Sequence, residues 1–130
     1  VIVDSSAVLA ILLQEPEKDA FAAAIQAAEI CRLSAATFFE VSIVIESQTG
    51  DAGVNRLQEF VRRAEIVIEP FTADQAYRAG RAWSEYGKGR HKAALNFGDC
   101  FSYALAKSLD EPLLFKGDDF SMTDIEPAIR

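Results

Sequence analysis

An α/β sandwich around a mostly parallel sheet is the fold this sequence predicts, and two patterns predict it. Short apolar runs of strand length alternate with longer stretches of helical periodicity. Acidic residues close or interrupt several of those runs, at the strand ends and helix starts where open parallel sheets gather their ligand sites. The chain has 130 residues, half of them hydrophobic. That is enough for one well-buried core and too little for two ordinary domains, so residues 1–130 are expected to form a single domain.

Val1–Val3 reads as a buried strand ending at Asp4, after which Ser5 or Ser6 begins a short helix through Leu13, with Pro16 as its stop. Phe21, Ala24, Ile25 and Ala28 recur at helical spacing and predict a helix over Glu17–Ala28, followed by a short strand at Cys31–Leu33. Ser34 is placed to cap a helix to about Thr49, which Gly50 ends. Asp51–Ala64 puts Val54, Leu57 and Val61 on one stripe, and the β-branched run Glu65–Ile68 predicts a strand.

Thr72-Ala73-Asp74-Gln75 matches a capping box and opens a helix to about Tyr86, where Gly87-Lys88-Gly89-Arg90 breaks it. A helix over about Gly98–Leu109, a strand at Pro112–Phe115 and a weak strand near Ile125–Ala128 complete the layout.

Asp4 ends the first apolar run, Glu40 lies in Phe38-Phe39-Glu40-Val41, Asp99 in Phe97-Gly98-Asp99-Cys100-Phe101, and the Asp118-Asp119 pair follows Leu113-Leu114-Phe115. The helical neighbours of Glu40 (Ala36, Ile43, Val44) and of Asp99 (Leu95, Tyr103) mark inward faces. Burying unpaired carboxylates is costly, so their recurrence in core-forming segments implies a shared positive partner. A hard divalent ion is the simplest one, since Mg²⁺ and Mn²⁺ favour carboxylate and water oxygens.

Each acid alone has an ordinary reading. Asp4 suits a turn or N-cap, Glu40 can reach outward or pair with an arginine, Asp99 suits a helix start, and Gly117-Asp118-Asp119 suits a turn. The constellation is stronger than its parts.

A formal charge of −7 is unlike that of a general nucleic-acid binder. The charge is uneven, however: Arg78, Arg81, Lys88, Arg90 and Lys92 face the single acid Glu85 in that stretch. Cys31 and Cys100 show no CxxC spacing and read as buried free thiols. The absence of a charged leader or a long apolar span leads us to expect a soluble cytoplasmic chain with no membrane contact. His91 is the only histidine, which excludes a histidine-pair ribonuclease mechanism and makes it a loop residue. Tyr86, Phe97 and Tyr103 invite base stacking, although helical spacing assigns Phe97 and Phe101 to the core. Trp83 suits a partner surface or a core edge.

These residues resemble the PIN domain, and within it the VapC-type toxins of prokaryotic toxin–antitoxin pairs. The resemblance rests on Val3-Asp4-Ser5-Ser6-Ala7, Phe39-Glu40, Asn96-Phe97-Gly98-Asp99-Cys100-Phe101-Ser102-Tyr103-Ala104 and Leu113-Leu114-Phe115-Lys116-Gly117-Asp118-Asp119-Phe120. Tyr86-Gly87-Lys88-Gly89-Arg90-His91 is similar to one branch of that toxin group. The resemblance implies a three-layer sandwich, a homodimer, a small antitoxin partner and an acidic metal site of Asp4, Glu40 and Asp99 with Ser6 in support. For the fourth acid, the spacing before Phe120 favours Asp118, with Asp119 the alternative.

The expected reaction is metal-dependent hydrolysis of RNA phosphodiesters, with Mg²⁺ as the ion and Mn²⁺ as a substitute. Divalent ions lower the pKa of bound water and stabilise charge on the phosphate. The usual family course leaves 5′-phosphate and 3′-hydroxyl ends. Lys88, Arg90 and Lys92 are the candidate RNA-backbone contacts, with Lys116 nearer the acids; a solvated charged loop reads equally well. Surplus apolar residues on Ala7–Leu13 and Phe38–Ile45 suit a second subunit or the antitoxin.

The other classes fit less well. Receiver-like proteins gather their acidic pair near the first strand, and a haloacid-dehalogenase phosphatase needs an Asp where Ser6 stands. A catalytically silent binding module is the alternative to an enzyme.

Overall fold

The computed structural model describes residues 1–129 and has four parallel strands in the order β3-β2-β1-β4. The elements run β1 (Ile2–Val3), α1 (Ser5–Leu12), α2 (Lys18–Ala27), β2 (Arg32–Ser34), α3 (Ala35–Arg63), β3 (Val67–Glu69), α4 (Ala73–Tyr86), α5 (Phe97–Leu109), β4 (Leu113–Leu114) and a 3₁₀ turn at Asp119–Met122. Ile2 pairs with both Arg32 and Leu113, which puts β1 inside the sheet.

Strand alternation builds the three layers. Ile2 and Leu113 face a core shared with Ala82, Leu95, Cys100 and Leu105, whereas Val3, Leu33 and Leu114 face a core shared with Val8, Val41, Ile45 and Leu57. Both faces are therefore covered, as parallel sheets require. Helices α1 to α3 supply one layer, and α4 and α5 the other. Cys31 and Cys100 are buried free thiols, as expected.

The chain fills the sheet outward from β1 to β3 and then returns to set β4 on the opposite side of β1. The strand order reverses beside β1, and the carboxyl ends of the strands at such a reversal are where open parallel sheets bind their ligands. Asp4 stands at that point.

The differences from the sequence reading have local causes. The expected helices on either side of Gly50 run on as α3, broken only at Gly50, whose φ of 68° and ψ of −157° lie where only glycine is at ease. Thr72 caps α4 by accepting from the Gln75 N–H, but the Gln75 amide donates to the Pro70 carbonyl instead of reaching back, so only half of the capping box forms. The full box is at α5, where Asn96 and Asp99 each accept from the other's N–H. The weak strand at Ile125–Ala128 reduces to one bridge, Leu113 to Pro127, in which the Leu113 N–H donates to the Glu126 carbonyl and the Ala128 N–H to the Leu113 carbonyl. Among the described residues no helix is long and apolar enough to cross a membrane.

Candidate metal centre

Asp4 leaves β1 and becomes the N-cap of α1, 2% exposed. Its Oδ2 accepts from the Ser6 N–H at 3.1 Å and the Ser6 hydroxyl at 2.7 Å, while Oδ1 accepts from the Ser102 hydroxyl at 2.6 Å. Ser6 Oγ in turn accepts from the Lys116 N–H at 2.9 Å, which ties the loop after β4 to Asp4. Ser102 escaped the sequence reading. Its position three residues after Asp99, on neighbouring parts of one helix face, was the available signal.

Asp99 occupies the first turn of α5, buried, with Oδ2 accepting from the Asn96 N–H at 3.0 Å. Burial pushes its carboxyl up to about 7; the Asn96 N–H opposes the rise, and the charges of Asp4, Asp119 and Glu40 add to it. Glu40, half-buried on α3, is also pushed up, first by burial and then by Asp4, with the Ser5 hydroxyl opposing. Its Oε1 is buried with no hydrogen-bond partner. Four acids from four separate segments therefore act on one another here. Of the C-terminal pair, Asp119 is the one whose charge reaches Asp99; Asp118 precedes the 3₁₀ turn, and its carbonyl accepts from Ser121.

The ordinary roles and the clustering coexist: Asp4 does cap α1, and Asp99 does close a capping box. Among the described residues no three His, Cys, Asp or Glu side chains are arranged, as they stand, to hold one ion. The hydrogen bonds account for this, since Asp4 is turned to Ser6 and Ser102, and Asp99 to Asn96. The donor set nevertheless suits a hard divalent ion. It offers only oxygens, one of them orphaned in a buried place, and its like charges help to raise the pKa of Asp99 and Glu40.

Lys116 does not neutralise the acids. Its Nζ lies 2.9 Å from Glu15 Oε1 and 3.4 Å from Glu17 Oε2. Lys88, Arg90 and Lys92 are exposed on the 87–96 connection. That loop is pinned at its base by the Gly87–Leu95 bridge and leads directly into the Asn96 cap. His91 is a loop residue whose Nδ1 accepts from the Ala93 N–H, its ring set edge-on to Tyr86.

Phe97 departs from expectation. It is 76% exposed, with its ring edge against Phe101 at 4.8 Å, because their shared stripe faces an apolar groove and not the sheet. Phe71, Trp83, Cys100 and Phe101 line that groove, and beyond Phe97 it continues to Phe39 and Ile43.

A PIN-domain family model matches residues 1–126, and the chain belongs to the PIN-domain family. Within that family it stands with the VapC ribonucleases. Ribonuclease VapC30 of Mycobacterium tuberculosis is 47% identical over 124 residues, covering 95% of each chain. Ribonuclease VapC28 of the same organism is 46% identical over 129 residues, 98% of this chain and 97% of that one. A ribonuclease VapC of Mycolicibacterium smegmatis is 45% identical over 124 residues, 95% of this chain and 96% of that one.

Two solved structures share the fold. The M. tuberculosis toxin VapC20, described as cleaving the sarcin-ricin loop, superposes with a TM-score of 0.78 at 15% identity, covering 95% of both chains. A toxin–antitoxin complex from Klebsiella pneumoniae gives 0.70 at 18%, covering 95% of this chain and 92% of that one.

Proposed function

We propose that this chain is an endoribonuclease toxin that hydrolyses RNA phosphodiester bonds with a divalent ion, Mg²⁺ or Mn²⁺, and is neutralised by a small cognate antitoxin as a homodimer. The observation that carries the reading is the group of like-charged acids at the strand-order reversal, beside which Lys116 is committed to Glu15 and Glu17. The similarity to named VapC ribonucleases and to a toxin–antitoxin complex supports the reaction class and the partner.

Asp4, Glu40 and Asp99 would hold the ion, with Asp119 as the fourth acid in place of Asp118. When bound, the ion supplies charge stabilisation and activates water for attack on phosphorus. The protein's own part is positioning. Ser6 and Ser102 fix the two oxygens of Asp4 from opposite sides. Asn96 orients Asp99 through its N–H, and the Asp99 carboxylate would be one of the oxygen ligands holding the ion. Lys88, Arg90 and Lys92 hold the RNA backbone beside the α5 N-terminus, with salt-sensitive affinity.

The test incubates purified, antitoxin-free protein with labelled single-stranded and structured RNA in Mg²⁺, Mn²⁺ or EDTA. Cleavage is expected only with the ions, leaving 5′-phosphate and 3′-hydroxyl ends. Cleavage that persists in EDTA and in Asp99→Asn would sink the metal mechanism.

A further inference from the structure

Gly98 stands at the second position of α5, between Asp99 and the exposed Phe97, and it is buried. A Cβ built on it would overlap Oε2 of Glu40 and stand 2.7 Å from both Cδ and Oε1. Real Cβ atoms essentially never come within 3.0 Å of a neighbour. The Glu40 carboxylate thus occupies the volume that any side chain at position 98 would fill.

Backbone conformation does not explain this glycine. The glycines with positive φ are Gly50, Gly89 and Gly117, whereas Gly98 lies in regular helix, where alanine is the better residue. What glycine provides here is space. One of the atoms it admits, Glu40 Oε1, has no hydrogen-bond partner, and the Asp4 charge works against the carboxylate while the Ser5 hydroxyl favours it.

We propose that Gly98 is a positioning residue, the missing Cβ being the seat of the Glu40 carboxylate. Any side chain at 98 expels that carboxylate from the acidic site and leaves the fold in place, because what must move is the far end of a flexible side chain. This rests on the reading of the acids as a divalent-metal site. It adds that α3 and α5 are matched to each other at one atom, so the site tolerates a change at 98 less well than the fold does.

The test compares parent, Gly98→Ala, Glu40→Asp and the double variant by Mn²⁺ titration followed by electron paramagnetic resonance, and by cleavage of a labelled single-stranded RNA. Gly98→Ala is expected to keep the parent circular dichroism and to lose about 10- to 100-fold in Mn²⁺ affinity, with a comparable loss of cleavage. Shortening the acid by one methylene draws the carboxylate back from position 98, so the double variant is expected to bind Mn²⁺ more tightly than Gly98→Ala alone. Parent-like affinity in Gly98→Ala overturns the proposal, as do losses that simply multiply in the double variant.

Should Gly98→Ala unfold, the same substitution in a Glu40→Ala background is expected to fold with the melting temperature of Glu40→Ala. Equal destabilisation in both backgrounds overturns the contact. A parent chain that binds no Mn²⁺ overturns the metal reading and this proposal with it. That result is distinct from a parent that binds and a Gly98→Ala variant that binds equally well.

Discussion

Asp99 lies in the first turn of α5 and Asp124 packs against the same helix from the C-terminal segment, and the two carboxyls fare in opposite ways. Burial pushes each carboxyl up. At Asp124 the Tyr103 hydroxyl, donating at 2.6 Å, and the Lys107 ammonium at 2.9 Å outweigh that push and hold it below the usual carboxylate range. At Asp99 the Asn96 N–H does not outweigh burial, the neighbouring charges are all negative, and the carboxyl rises to about 7.

The same side chain thus marks a finished ion pair at one place around α5 and an uncompensated site at the other. The difference lies in the partners, because desolvation acts in the same direction on both. Arg32 repeats the finished pattern at the sheet, bridging Glu69 at 2.7 Å and Glu111 at 3.1 Å. The acids at the strand-order reversal are conspicuous beside Glu69, Glu111 and Asp124, each of which has found a cation.

Neutralising one acid in each place tests the contrast most sharply. Asp99→Asn is expected to lower RNA cleavage by about a thousandfold or more, corresponding to some 4 kcal/mol of lost transition-state stabilisation, while raising the melting temperature at pH 8. Asp124→Asn is expected to leave cleavage within about twofold and to cost less than about 1 kcal/mol of stability, since its ion pair is largely exposed. Comparable losses of cleavage from both changes would erase the distinction.

The pH dependence of the metal-free protein should show the same opposition. Asp99 has a raised folded pKa, so its contribution is fully present below its unfolded value near 4 and is lost as pH rises through about 7. At about 1.4 kcal/mol per unit, the cost at pH 8 is on the order of 4 kcal/mol. Asp124, with a lowered pKa, contributes stability above the unfolded value that is lost in acid. Chemical denaturation in EDTA is expected to show stability falling between pH 5 and 8 and a flatter profile in Asp99→Asn.

A divalent ion should reverse that trend. Mn²⁺ at about a hundred times its dissociation constant is expected to stabilise the protein by about 2.7 kcal/mol at pH 8. The gain should be smaller at pH 5, where Asp99 holds its proton, and smaller still in Asp99→Asn. Differential scanning fluorimetry with an EDTA reversal reads this directly. The smallest contrast lies within the C-terminal pair, where Asp119→Asn is expected to weaken Mn²⁺ binding about tenfold and Asp118→Asn about twofold or less.

Asp4, Glu40 and Asp99 stand out in the sequence because each interrupts an apolar segment, and the cost of burying a carboxylate is a local fact. The same locality makes the strands and helices legible, down to the break at Gly50, since periodicity, caps and turn residues act within a few positions of one another.

Other features depended on contacts between distant parts of the chain. Ser102 holds Asp4 across 98 positions, Lys116 is drawn to Glu15 across 101, and Gly98 makes room for a side chain on another helix. The charge of Asp119 reaches Asp99, and Phe97 turns to a groove although its spacing suits a core. By itself the sequence determined which residues are costly to bury and the elements they sit on. Only the tertiary structure decided which of them meet, because electrostatic and steric coupling depends on distance through space, and the return of β4 beside β1 sets that distance.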